Sequence, residues 1–289
     1  MCIRDRDYGP AGGALPEDRP GRVRDQHKDS VGSGRQGGKQ REAGRDKSGA
    51  GERADIRRGK VENMKTELEQ VLPAQIEKRS FEIITEELGE KELVPGTELI
   101  VKRCIHTSAD FDYADNLVFS EHVVEKALSA IRKGASIVTD TQMAKAGINK
   151  KRLGEYGGQV YCFMSDEDVA EAARRKGTTR AAASMDKAAV LYQEVRGSLP
   201  GNVAGNEDAP GLIFAIGNAP TALVRLSELI REGRLKPELI IAVPVGFVNV
   251  VQSKEMILEL ENTHHIVAKG RKGGSNIAAC ICNALLYMM

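Results

Sequence analysis

The chain has 289 residues, and its 42 Lys and Arg side chains are balanced by 41 Asp and Glu, so no excess charge points to nucleic acid or to a membrane surface. No apolar run approaches the ~20 residues needed to cross a bilayer, and the N-terminus lacks the apolar stretch of a secretory signal, so a cytoplasmic protein is expected. Five cysteines, an odd number without CxxC spacing, argue against a disulfide framework or a structural zinc site.

Residues 1–63 are rich in Gly, Arg, Lys and Asp and nearly devoid of large apolar side chains. Such a segment cannot bury enough surface to offset its ordering entropy, and disorder is expected. Its interspersed acidic residues and scarce aromatics speak against an RNA-binding tail. Met64, in MKTELEQ, would be a natural initiator, which would make the preceding residues a non-native extension. Residues 64–289 suit one α/β domain.

In TELIVKRCIHTS, ELIVKRCI alone would suit a strand, but Pro95-Gly96-Thr97 resembles a helix start and Leu99, Ile100, Cys104 and Ile105 recur at helical spacing. A helix with His106 in its last turn is expected, followed by an Asp-rich, aromatic-bearing loop, ADFDYADNLVF. SEHVVEKALSAIRKG then predicts a helix capped by Ser120 and ended by Gly134. Short apolar runs at Ser136–Asp140, Val160–Met164, Gly211–Gly217, Leu239–Val245 and His265–Gly270 read as buried parallel strands. The helical patterns SDEDVAEAARRKG, RAAASMDKAAVLYQEV, PTALVRLSELIREG and VVQSKEMILELEN alternate with them. Five strands alternating with helices predict an α/β, three-layer, doubly wound and mainly parallel sheet.

Ligands of such a sheet sit beyond the carboxyl ends of its strands. Three of the loops there are rich in Gly or Pro: Gly217-Asn218-Ala219-Pro220, Val243-Pro244-Val245-Gly246-Phe247 and Lys269-Gly270-Arg271-Lys272-Gly273-Gly274-Ser275. Backbone N–H groups in such loops and at helix starts favour an anionic ligand. None matches GxGxxG or a P-loop, and HExxH, clustered Cys and His, and GxSxG are all missing, so nucleotide, metal and serine-hydrolase chemistry lose support. Cys280 and Cys282, two apart on a helix, are expected to pack. His122 and the His264-His265 pair suit ordinary surface or edge positions. His106 has Arg103 one turn before it and Ser108, Asp110 and Asp112 just after it, and stays open between a structural and a proton-transfer role.

RSFEII (Arg79–Ile84), the RxxH of RCIH, GNAPTAL, PVGFV followed by SKE, and GRKGGS stand in the order found in the precorrin-8X (cobalt-precorrin-8) methylmutase family, which the chain resembles from about Met64 onward. The resemblance implies a flavodoxin-like fold, a homodimer and an isomerase of vitamin B12 biosynthesis. Such an enzyme moves a methyl group from C-11 to C-12 of the tetrapyrrole, giving hydrogenobyrinate or, with cobalt, cobyrinate, without external cofactor or metal. On the same basis His106 matches the catalytic histidine, and Ser80 and Arg103 match substrate contacts. A substrate rimmed by carboxylates also needs cations and N–H donors, which Arg180, Arg271 and the loop positions Asn218, Gly246, Gly273 and Ser275 are expected to supply.

A corrinoid carrier without turnover, and a nucleotide-binding module, are the competing classes; only an isomerase should change the tetrapyrrole absorption spectrum by turnover. The tail before Met64 carries no apolar face. A chain starting at Met64 is therefore expected to match the full chain in circular dichroism and activity, and loss of soluble protein on truncation would contradict this.

Overall fold

The computed structural model describes residues 68–197 and 210–289. The expected disorder of residues 1–63 lies outside the described residues. Gln70–Met289 form one compact unit.

Strands β1 (Leu117–Phe119), β2 (Ser136–Thr139), β3 (Val160–Tyr161), β4 (Leu212–Ile216), β5 (Leu239–Ala242) and β6 (His265–Ala268) make a six-stranded sheet in the order β1-β6-β5-β4-β2-β3. Strands β2 to β6 are mutually parallel, and β1 pairs antiparallel with β6, Leu117 lying opposite Ala268. All five expected strands are present. The expected count of five is corrected to six, because Leu117-Val118-Phe119 also pairs. Three residues are too few to show a periodicity, and what holds them is β6, remote in sequence.

Helices α1 (Ile76–Leu88), α2 (Glu98–Ser108), α3 (Tyr113–Asn116), α4 (Val123–Arg132), α5 (Gln142–Gly147) and α6 (Lys150–Gly154) come before or between the first three strands. They are followed by α7 (Glu167–Lys176), α8 (Arg180–Gly197), α9 (Pro220–Arg231), α10 (Val250–Leu258) and α11 (Ser275–Tyr287). The period of two along each strand sorts these helices onto opposite faces. Ile213 and Ala215 of β4 pack into a core with α1, α2, α4 and α11, while Leu212, Phe214 and Ile216 pack into a second core with α8, α9 and α10. Both faces being covered explains why the β4 and β5 sequences are continuously apolar.

The expected helix ending in RCIHTS spans Glu98–Ser108 and carries His106 in its last turn. Ser120 does not cap α4: its hydroxyl accepts from the His265 N–H at 2.9 Å, and His122, at φ 55°, precedes the helix instead. Among the described residues no helix is long and apolar enough to cross a membrane.

Gly217, just past β4, is required by close approach: a Cβ there would lie 2.6 Å from Ser275 Cα and 2.8 Å from Gly274 O, both backbone atoms. Gly154 has open space around it. In urea unfolding, Gly217→Ala is expected to cost about 1–3 kcal/mol and Gly154→Ala to add about 0.4–1 kcal/mol.

Candidate active site

The carboxyl edge of the sheet is organised from within. Outward from β2 the order reaches β3 on one side and β4, β5 and β6 on the other, so the crevice between β2 and β4 is the topological switch point, the usual place for an anion in such a sheet. Asp140, the residue after β2, fills it with its own carboxylate, fully buried. That carboxylate accepts from the N–H groups of Gly217 (2.9 Å), Asn218 (2.8 Å) and Ala219 (2.6 Å) at the start of α9. Burial pushes the Asp140 carboxyl upward, and the three N–H bonds oppose that shift. Loop N–H groups expected to face a ligand here are thus already taken, and Asn218 presents only its exposed side chain.

The third loop is stitched to the others. Thr141 donates to the Ser275 hydroxyl at 2.8 Å, joining the loop after β2 to the start of α11. Gly273 lies at φ 154°, where a Cβ would fall 2.1 Å from Val243 O, and the Gly274 N–H bonds that same oxygen at 2.9 Å. The Gly246 N–H donates to Arg271 O at 3.2 Å. Lys254, 1% exposed on α10, donates to the carbonyls of Gly270 and Lys272 at 2.9 Å each. Outside this network the guanidinium of Arg271 lies 5.4 Å from the Phe247 ring centre, and Phe247 and Val248 are 80% and 78% exposed.

Arg180 begins α8 with its side chain exposed, next to Thr179, whose hydroxyl shares a 2.8 Å hydrogen bond with Thr221 of α9. That bond joins the start of α8 to the start of α9.

Ser80, Arg103 and His106 form a separate group on the α1–α2 flank. Arg103 donates to Glu77 at 2.7 Å, and its guanidinium lies 5.4 Å from the Phe81 ring centre and 4.4 Å from that of Tyr287. The pairing ties α1, α2 and α11 together, and leaves Arg103 Nε buried without a hydrogen-bond partner. One turn on, the His106 ring lies 5.6 Å from that of Phe81, tilted by 41°. Among the described residues no hydrogen bond to the His106 ring is formed. The Ser80 hydroxyl, beside Phe81, bonds back to Ile76 O at 2.9 Å. Asp110 and Asp112, which the sequence places close to His106, instead engage Lys272 of the third loop, Asp110 at 2.7 Å. Lys272 holds the Asp110 carboxyl below the usual range and links the end of α2 to the carboxyl edge.

Cys280 accepts from the Thr107 hydroxyl at 3.2 Å and adjoins the buried Cys104. Cys282 is buried, and desolvation pushes its thiol up to about 12. Both sit in the α2–α11 packing.

Asp140, Lys254 and Phe247 lie in segments quoted above as strand, helix and loop, but sequence reasoning singles out none of them as a site residue. Asp140 directly follows a buried strand, Lys254 falls on the apolar face set by Val250 and Ile257, and Phe247 is an aromatic in a Gly-Pro loop. Each position is visible in the sequence, but its meaning depends on a partner from a distant segment.

These features define an α/β protein with a six-stranded mixed, mostly parallel sheet flanked by helices, and with the exposed cations Arg180 and Arg271 among the residues described above. A precorrin-8X methylmutase family model matches residues 75–288. The cobalt-precorrin-8 methylmutase of Priestia megaterium is 43% identical over 215 residues, covering 74% of this chain and 88% of that protein. The cobalt-precorrin-8 methylmutase of Leptospira interrogans is 44% identical over 218 residues, covering 74% and 92%. The crystal structure of a precorrin-8X methylmutase from Thermus thermophilus superposes with a TM-score of 0.61 at 36% identity, covering 74% of this chain and 96% of that one. The chain belongs to the precorrin-8X methylmutase family, whose activity is that of an isomerase in cobalamin biosynthesis.

Burial without a counter-ion lowers the Lys254 amine from 10.5 to about 8. Between those values the unfolded chain holds a proton that the folded chain lacks, so stability rises as pH climbs through that window. Relative to Lys254→Met, the wild type is expected to gain stability in urea unfolding between about pH 7.5 and about pH 9.5. An unchanged difference would contradict this.

Proposed function

We propose that the chain converts cobalt-precorrin-8, by moving the methyl group at C-11 to C-12, into cobyrinate, with the cobalt-free precorrin-8X as the alternative substrate. The observation that carries this is the family match over residues 75–288. The cobalt form is favoured because the relatives at 43% and 44% identity are cobalt-precorrin-8 methylmutases, while the Thermus thermophilus precorrin-8X methylmutase stands at 36%. Residues 64–289 form the catalytic domain in this reading. Its fold is flavodoxin-like, since β2 to β6, numbered among themselves, follow the order 2-1-3-4-5. The enzyme works as a cytoplasmic homodimer without external cofactor, as the family resemblance implies.

His106 is the proton-transfer group. Its ring makes no competing hydrogen bond among the described residues, and it stands on a rigid helix turn against Phe81. A proton on a ring nitrogen favours the concerted shift, and a positioned imidazole can deliver or retrieve it. Ser80, whose hydroxyl donates to Ile76 O and can still accept, and Arg103 are the nearby substrate contacts that the family resemblance implies. At the carboxyl edge, Arg180 and Arg271 meet substrate carboxylates, with Asn218, Gly246, Gly273 and Ser275 shaping the loops that carry or flank them. The nucleotide-module alternative loses ground to Asp140, which already occupies the donors that a phosphate would use.

Incubating purified protein with cobalt-precorrin-8 and with precorrin-8X, while following absorption, tests the reading. Conversion, faster with cobalt, is expected; binding without spectral turnover would favour the carrier. His106→Ala is expected to lose roughly 10²- to 10⁴-fold in turnover while keeping its affinity. Arg103→Ala is expected to lose about 1.5–3 kcal/mol of affinity, and stability as well, since Glu77 loses its partner. Wild-type turnover by His106→Ala would return His106 to a structural role.

A further inference from the structure

Lys254 is a fully buried cation in a helix whose neighbouring buried residues are Val250, Ser253 and Ile257, and no carboxylate pairs with it among the described residues. A buried ammonium is costly unless its protons find acceptors. Here the acceptors are the carbonyls of Gly270 and Lys272, the residues on either side of Arg271. The carbonyl between them, that of Arg271, accepts from the Gly246 N–H. Three successive carbonyls are therefore held by protein donors, two of them by one amine. With its backbone fixed in this way, Arg271 places its exposed guanidinium over the exposed Phe247 ring, where it makes no ion pair among the described residues.

Elsewhere in the same loop, Lys272 is committed to Asp110 and Asp112. Arg271 and Lys269 are the exposed cations of this loop without an ion pair among the described residues, and of the two it is Arg271 that lies over an aromatic ring, an apolar backing that suits the flat face of a macrocycle. We propose that Lys254 is a positioning residue that presents Arg271, on its Phe247 platform, to a carboxylate of the corrinoid substrate. This rests on the methylmutase reading given above. Lys254 touches no reacting atom; it acts by removing the freedom of the segment that carries the anchor.

The test is a double-mutant cycle on the full chain, comparing wild type, Lys254→Met, Arg271→Ala and the double variant. Binding is followed by titration with cobyrinate, and turnover with cobalt-precorrin-8. Each single variant is expected to raise Kd and KM roughly tenfold with kcat within about twofold, and the double variant to be no worse than Arg271→Ala. A general loss of stability would not produce that non-additivity. Additive effects, or a fall in kcat at unchanged KM, would overturn the assignment. If Lys254→Met does not fold, Lys254→Gln, which keeps two N–H donors without the charge, takes its place in the cycle. Failure of both to fold would make Lys254 a general support of the sheet edge and also overturn it. A wild-type chain that neither binds nor converts the corrinoid would instead refute the methylmutase reading, and the positioning role with it.

Discussion

The carboxylate of Asp140 gathers three N–H groups from the start of α9, and the rest of the carboxyl edge is arranged around that contact. A helix start at a switch point is a strong anion site, and in this chain the anion is internal. Once Asp140 has drawn the loop after β4 inward, Gly217 meets the backbone of Gly274 and Ser275, and Thr141 closes the gap to Ser275. Loops after β2, β4 and β6 thereby become one rigid platform. Under the proposed function, outside anions are then met by side-chain cations on its outer rim.

Lys254 is the counterpart of Asp140 one loop away. The carboxylate collects backbone donors and the ammonium collects backbone acceptors, so each buried charge is balanced by peptide dipoles and not by an opposite side chain. Neither charge needs a neighbour of opposite sign that would compete for substrate. Under the proposed function, this division would let the site hold a rim of carboxylates and leave the His106 imidazole to move a proton. Lys272, bound to Asp110 and Asp112, extends the same platform to the end of α2, the helix that carries His106.

Much of this was legible in the sequence where a local pattern carries the information. The continuous apolar runs of β4 and β5, the helix start at Pro95-Gly96-Thr97 and the strand-to-helix change at Pro220 all appear where expected. What escaped depends on partners remote along the chain. Strand β1 exists through β6, Ser120 serves His265 and not its own helix, and Asp110 turns to Lys272 and not to His106. In the glycine loops the expectation of N–H groups facing a ligand failed at Gly217–Ala219 for one reason: the acceptor comes from Asp140, 77 to 79 positions earlier. His106, Ser80 and Arg103 are expected site residues on motif resemblance alone, since side chains back-bonded or stacked on one flank have no periodic signature.

The most direct test of the platform is a crystal structure with cobyrinate bound. The expected structure has corrinoid carboxylates on arginine side chains, a His106 ring nitrogen about 2.6–3.2 Å from its proton partner or one water away, and Asp140 still holding its three N–H groups. A substrate carboxylate seated on the N–H groups of Gly217–Ala219, with Asp140 displaced and His106 remote from the ring, would contradict it.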